Sequence, residues 1–209
     1  RGLGEVYKRQ EMTTVDADYF DDALMIGDSR TVGLKEYGTL GNATFYCDSG
    51  LSIYDLENKK IMVDGIGKVS ISDLLASHTY HKIYLMLGIN ELGYDVTQTF
   101  EKYASFVNFL QTMQPDAIIY VEANLHVTAQ RSDSDKTFNN ANINAFNQKI
   151  STLADQRTIY YLDINELFDD ANGNLGTQYS NDNAHPLGKY YAVWCDWLME
   201  HAVVRDGKS

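Results

Sequence analysis

Five short, nearly continuous apolar runs mark this chain, and stretches of helical periodicity separate them. The runs are Ala23-Leu-Met-Ile-Gly27, Ala43-Thr-Phe-Tyr-Cys47, Lys82-Ile-Tyr-Leu-Met-Leu-Gly88, Ala117-Ile-Ile-Tyr-Val-Glu-Ala123 and Thr158-Ile-Tyr-Tyr-Leu162. Runs of this length that do not alternate apolar with polar suit strands covered on both faces. Between them Phe100, Tyr103, Val107 and Leu110 fall three or four apart, in a segment that ends before Pro115. Ile143, Phe146, Ile150 and Leu153 repeat that stripe, and Tyr190, Trp194, Trp197 and Leu198 make a third. Strands alternating with helices must pair in parallel through right-handed crossovers. The pattern therefore predicts an α/β chain, a three-layer α/β/α sandwich around a mostly parallel five-stranded sheet. One segment breaks the rhythm: Ile61-Met-Val63 and Lys68-Val-Ser-Ile71 flank Asp64-Gly-Ile-Gly67, which predicts a small β-hairpin insertion around 61–71.

A chain of 209 residues suits one domain with a substantial core. Residues 1–10 are basic and lack the periodicity that follows, so they read as an adaptor-derived segment, leaving 11–209 as a single domain. On that reading the true N-terminus, with any leader or anchor, lies elsewhere. No run approaches the roughly 18 apolar residues that span a bilayer. Seventeen basic against 29 acidic residues give a formal charge of −12, with no Lys/Arg cluster. That balance argues against nucleic-acid partners, whose phosphates demand a basic footprint, and against anionic membrane surfaces. Cys47 and Cys195 are far apart, form no CxxC pair and read as small buried hydrophobes.

The chemistry is concentrated at predicted strand ends, where open parallel sheets bind ligands. The first strand ends in Gly27-Asp28-Ser29, which places Ser29 at a helix N-terminus whose free N–H groups favour developing negative charge. Gly27 allows the tight turn, and Gly33 lets the helix approach the sheet. Alone, Asp28-Ser29 is equally an N-cap. A serine hydroxyl needs a base, and His185 is the best placed of five histidines. It lies in Asp182-Asn-Ala-His185, a spacing that lets Asp182 turn back onto Nδ1 and leave Nε2 free. A tetrahedral intermediate also needs oxyanion donors. Gly50 follows the second strand in Asp48-Ser49-Gly50, and Asn90 follows the third in Gly88-Ile89-Asn90; with the Ser29 N–H they would make a three-donor hole. Singly, Gly50 is a turn glycine and Asn90 a cap or turn residue.

Their order, Ser29, Gly50, Asn90, His185, changes that reading. The chain resembles the SGNH, or GDSL-like, hydrolases from about Ala23 to about Trp197. Block I matches Gly27-Asp28-Ser29 with Gly33, block II Gly50, block III Gly88-Ile89-Asn90, and block V Asp182 with His185. The resemblance implies a flavodoxin-like fold and a serine acyl-enzyme mechanism on esters, with no cofactor and no metal. It implies Ser29 as nucleophile, His185 as base, Asp182 as its orienting partner, and Ser29, Gly50 and Asn90 as the oxyanion hole. Asp28 is structural by the same analogy. One departure is Glu91, where the family commonly has Asp after the Asn. The substrates implied are small-molecule or carbohydrate esters with short acyl groups, acetyl first, and an extracytoplasmic location is favoured over a cytoplasmic one. Two other readings stay open: glycan O-acyltransfer through the same triad, and a non-catalytic glycan-binding module. Oligomeric state is left open.

Weaker signals complete the list. Arg30 in the first helical turn opposes the macrodipole, which fits a grip on an acidic substrate group or plain solvent exposure. Tyr54 and Tyr94, near blocks II and III, are candidates to wall a sugar-binding cleft. Asn124 and His126 follow the fourth strand and are candidates to border it. His78-Thr-Tyr-His81 lacks the further ligands that a metal site needs.

Overall fold

A computed structural model describes residues 10–205. The adaptor-like segment lies outside the described residues, apart from Gln10. Five strands form one parallel sheet: β1 (Ala23–Gly27), β2 (Thr44–Cys47), β5 (Lys82–Met86), β6 (Ile118–Glu122) and β7 (Ile159–Leu162). Their order is β2-β1-β5-β6-β7, each pair parallel. Without the inserted hairpin this is the 2-1-3-4-5 order of flavodoxin-like folds. The hairpin itself, β3 (Lys60–Val63) with β4 (Gly67–Ser70), is antiparallel and separate from the main sheet.

Both sheet faces are buried, which is why the strands read as unbroken apolar runs. Along β1, Leu24 and Ile26 join one core while Ala23 and Met25 join the other. The first core packs α2 (Ile71–Ser77), α3 (Val96–Met113) and α5 (Asn140–Ser151), with the hairpin, against the sheet. The second packs α1 (Ser29–Tyr37), α6 (Asn165–Phe168) and α7 (Gly188–Glu200) against the other face. A short helix, α4 (Ala129–Ser134), follows β6. In the second core Tyr84, Tyr120 and Tyr160 stand in register on adjacent strands, with the first two rings stacked at 4.4 Å. Phe20 packs on Tyr84, and the Tyr120 hydroxyl bonds Tyr19 and the Val203 N–H, so the two ends of the described chain close over this layer.

Two details differ from the sequence reading. Gly33 accommodates a helix rather than the sheet: a Cβ there would land inside the Tyr191 ring, so glycine lets α1 and α7 touch. Leu153 lies past the end of α5, in the turn that leads to β7. Cys47 and Cys195 are free thiols, and Cys195 Sγ accepts the Thr39 N–H at 3.3 Å. No helix among the described residues is long and apolar enough to cross a membrane.

Candidate active site

The carboxyl edge of the sheet collects the chemistry. β1 ends at Gly27, and Asp28 caps α1: its carbonyl accepts Thr31 and Val32 N–H, and its side chain accepts Arg30 N–H. Ser29 is the first helical residue, so its own N–H has no intrahelical partner. Ser29 is half-buried, and its hydroxyl lies 2.8 Å from His185 Nε2.

His185 is carried by the loop before α7, and that loop folds back on itself. Asn183 adopts φ 67°, a left-handed conformation that Asn tolerates better than most residues. This reversal lets Asp182 cap the residues that follow it. Oδ1 accepts the N–H groups of Ala184 at 2.9 Å and His185 at 2.7 Å, and the Ser180 hydroxyl at 3.0 Å. Oδ2 takes His185 Nδ1 at 2.8 Å. Thr128 anchors the loop to the segment after β6, its N–H donating to the Asn183 carbonyl and its hydroxyl to Asn183 Oδ1. Partial burial would raise the Asp182 pKa, but the His185 and Ala184 N–H groups and the imidazole outweigh it and hold the pKa at about 2. An ionised Asp182 only accepts, so Nδ1 carries the proton and Nε2 presents its lone pair to the Ser29 hydroxyl.

The loop after β2 meets the end of β5 at Asn90. Its Nδ2 donates to the carbonyls of Ser49 at 3.1 Å and Leu51 at 3.0 Å, pinning the Gly50 turn. Gly50 N–H donates to Asp48 Oδ1 at 3.0 Å, an Asx turn, and Lys59 Nζ also holds that carboxylate at 3.1 Å. Gly50 and Asn90 thus stand together as expected, yet their N–H groups bond within the loop. Engaging an oxyanion requires these donors to be shared or released.

Beneath Ser29 lies a buried charge cluster. The Arg30 side chain is 3% exposed and forks onto Asp28, Nε to Oδ1 at 2.8 Å and Nη2 to Oδ2 at 2.6 Å, with Asn124 Oδ1 taking Nη2 at 2.8 Å. This corrects both readings of Arg30: it neither meets solvent nor reaches out to a substrate. Its misfit with the helix dipole is offset by Asp28. Asn124 is likewise no cleft wall. It is 1% exposed and tied to Asn147 and Asn165 as well as Arg30. His126 is buried too, with Nδ1 on Asp169 at 2.8 Å and Nε2 on Asn144 at 2.6 Å. Burial opposes its charge, but the bonds to Asp169 and Asn144 raise its pKa. Tyr54 and Tyr94 do come together, stacked at 4.5 Å, with Tyr94 exposed.

Two buried carboxyls escaped the sequence reading as functional groups. Glu91 is pushed up to about 8 by burial, with Asp28 and Asp55 adding to the rise and the Ile53 N–H and Arg30 opposing it. Glu122, at the end of β6, is pushed up to about 8 by burial, with Arg30 opposing and Asp28 adding. In the sequence Glu91 stands out only as a departure from block III, and Glu122 only as a carboxylate within an otherwise apolar run.

The histidine pair lies away from this edge. His81 precedes β5 and pairs with Asp22 at 3.0 Å, while His78 Nδ1 meets Ser77 Oγ at 2.9 Å. Among the described residues no three His, Cys, Asp or Glu side chains gather to hold a metal ion.

The sequence profile of the GDSL-like lipase/acylhydrolase family matches residues 25–193. Among curated proteins no sequence relative matches. Solved structures of similar fold include a GDSL-like lipase from Bacteroides thetaiotaomicron, 17% identical with TM-score 0.61, each chain covered to 83%. An acetyl xylan esterase, AlAXEase, is 17% identical with TM-score 0.60, covering 84% of this chain and 97% of its own. A carbohydrate esterase family 3 protein from Talaromyces cellulolyticus is 15% identical with TM-score 0.51, covering 81% and 91% respectively. At these identities the likeness is one of fold.

Proposed function

The chain belongs to the GDSL-like lipase/acylhydrolase family and is a carboxylic ester hydrolase, and from that premise we propose that it removes short acyl groups, acetyl foremost, from carbohydrate esters through a Ser29-His185-Asp182 triad. The observation that carries this reading is the continuous contact from Asp182 Oδ2 through His185 to Ser29 Oγ, 2.8 Å at each step. In the first half-reaction Ser29 Oγ attacks the acyl carbonyl carbon as His185 Nε2 takes the hydroxyl proton. Asp182 stays ionised and stabilises the imidazolium. The carbonyl oxygen, now an alkoxide, lies toward the Ser29 N–H at the positive end of α1, with Gly50 N–H and the Asn90 amide as further donors. His185 returns the proton to the departing alcohol, which leaves the acyl group on Ser29. Water then repeats the sequence, with His185 as base, and carboxylate is released.

The acetyl and carbohydrate parts rest on the names of the fold neighbours, one an acetyl xylan esterase and one a carbohydrate esterase. They make acetylated glycans the first substrate class to try. Glycan O-acyltransfer would use the same residues with a sugar hydroxyl in place of water. A non-catalytic binding module has no need of a base 2.8 Å from the serine. The test is turnover of 4-nitrophenyl acetate, butyrate and octanoate by the wild type and Ser29→Ala. Activity should fall from acetate to octanoate and be lost in the variant. Equal rates for wild type, variant and buffer would reject hydrolysis and favour transfer or binding.

A further inference from the structure

Beside the candidate oxyanion loop, between the end of β5 and the helices α3 and α5, lies a cavity of about 200 Å³. Gly88, Glu91, Tyr94, Thr99, Asn142 and Phe146 are among its walls. Gly88 is two residues before Asn90, and β5 pairs with β1 with Met86 opposite Gly27. Gly88 thus follows the strand that neighbours β1, and the cavity opens from the same carboxyl edge of the sheet that carries Ser29. A hollow of about 370 Å³ flanked by Tyr54, Gln98 and Lys102 is larger, but none of its walls comes from the strand ends that carry Ser29 and Asn90.

The walls combine apolar surface with a few fixed polar groups, the usual make-up of a ligand site. Tyr94 is 58% exposed and stacked on Tyr54, whose hydroxyl is tied to Thr99 Oγ1 at 2.8 Å, so the aromatic face is held in place. Glu91 is 2% exposed: Oε2 accepts the Ile53 N–H at 3.3 Å, while Oε1 has no hydrogen-bond partner among the described residues. A buried carboxyl oxygen without a partner is costly, and an alkyl chain in the cavity would leave it so. Oε1 has almost no accessible surface, so a hydroxylated ligand supplies the missing bond only where the cavity wall shifts to bare it. Asn142 Nδ2 donates to the Thr137 carbonyl at 3.0 Å, leaving Oδ1 as its remaining acceptor. The volume far exceeds what an acetyl methyl needs and is comparable with one sugar ring.

We infer that this cavity is the subsite for the sugar ring bearing the scissile ester, with Tyr94 as its stacking platform and Glu91 and Asn142 as its hydroxyl-binding groups. The inference rests on the carbohydrate-ester reading above. A neutral Glu91 carboxyl both gives and accepts a hydrogen bond, which matches the dual character of a sugar hydroxyl.

The test uses esters whose alcohols have no ring beside one that does: ethyl acetate, ethyl butyrate and a mono-O-acetyl methyl xyloside. Ala145 lines the cavity on the exposed side of α5, so Ala145→Trp plugs it without disturbing the core. KM for the acetyl xyloside should rise roughly tenfold in Ala145→Trp and in Tyr94→Ala, a loss typical of an aromatic contact. Ethyl acetate turnover by Ala145→Trp should stay within about twofold of wild type, a difference well under the tenfold step. If the plug instead slows ethyl butyrate selectively, the cavity takes the acyl chain and the inference is wrong. Unchanged kinetics on all three esters would overturn it as well. Saturation-transfer NMR with methyl β-xyloside needs no hydrolysis. Binding by wild type that Ala145→Trp abolishes supports the subsite even if no ester is cleaved, in which case only the hydrolase reading fails. Ester cleavage without xyloside binding removes the subsite alone.

Discussion

Asp182 holds His185 twice, by the ring Nδ1 at 2.8 Å and by the backbone N–H at 2.7 Å. The carboxylate thus fixes both the loop and the tautomer. Asp182→Asn keeps the shape but can offer an N–H to Nδ1, favouring the wrong tautomer. We expect kcat to fall about 10³–10⁴-fold with the fold retained by circular dichroism. Because Asp182 titrates at about 2, it stays ionised through the working range, and its protonation sets no part of the acid limb above about pH 3. A loss under tenfold would mean that Asp182 does not orient the base.

Asn90 ties the Gly50 turn to the end of β5, and as an oxyanion donor it must act from that position. Asn90→Asp keeps the size while removing the N–H donors. Steady-state kinetics should show kcat down about 10²–10³-fold with KM little changed. An equal rise in KM with intact kcat would instead make Asn90 a residue that only shapes the loop.

Arg30 neutralises Asp28 in the interior, so Arg30→Met leaves a buried carboxylate without its partner. Urea unfolding should register a loss of about 3–5 kcal/mol. Arg30→Lys should restore only part, since an ammonium cannot fork onto both carboxylate oxygens. A loss below about 1 kcal/mol would place Arg30 among surface-type pairs.

Glu122 is pushed up to about 8 from an ordinary 4.5. The native state therefore holds a proton that the unfolded chain has already released, and stability falls as pH rises between about 4.5 and 8. Glu122→Gln removes that titration. Thermal melts should show the variant gaining on wild type from pH 5 to pH 8.5, a window set by that shift. Parallel melting curves across that range would show that Glu122 does not titrate this way.

The strands were legible because both sheet faces are covered, so runs such as Ile118–Glu122 carry no polar alternation. The hairpin was legible from Asp64-Gly at its turn, and the four blocks from their order. The buried cluster was not. Asp28 and Arg30 are two apart, a spacing that does not face across a helix, and they pair only because Asp28 sits outside α1 as its cap. Nothing local announced that Asn124 would accept from that arginine, 94 residues away. His126 looked like a cleft residue for the same reason: its position after a strand was visible, while its partner Asp169 lay 43 residues on. The aim of the Gly50 and Asn90 N–H groups depends on side-chain rotamers, which spacing does not encode.

Ser29 as a nucleophile activated by His185 should react with a fluorophosphonate, and labelling followed by peptide mass spectrometry checks this without any choice of substrate. A single adduct is expected on the peptide that contains Ser29, absent in Ser29→Ala and strongly slowed in His185→Ala. An unmodified wild type, or an adduct formed as fast without His185, would mean that Ser29 is not a nucleophile activated by His185.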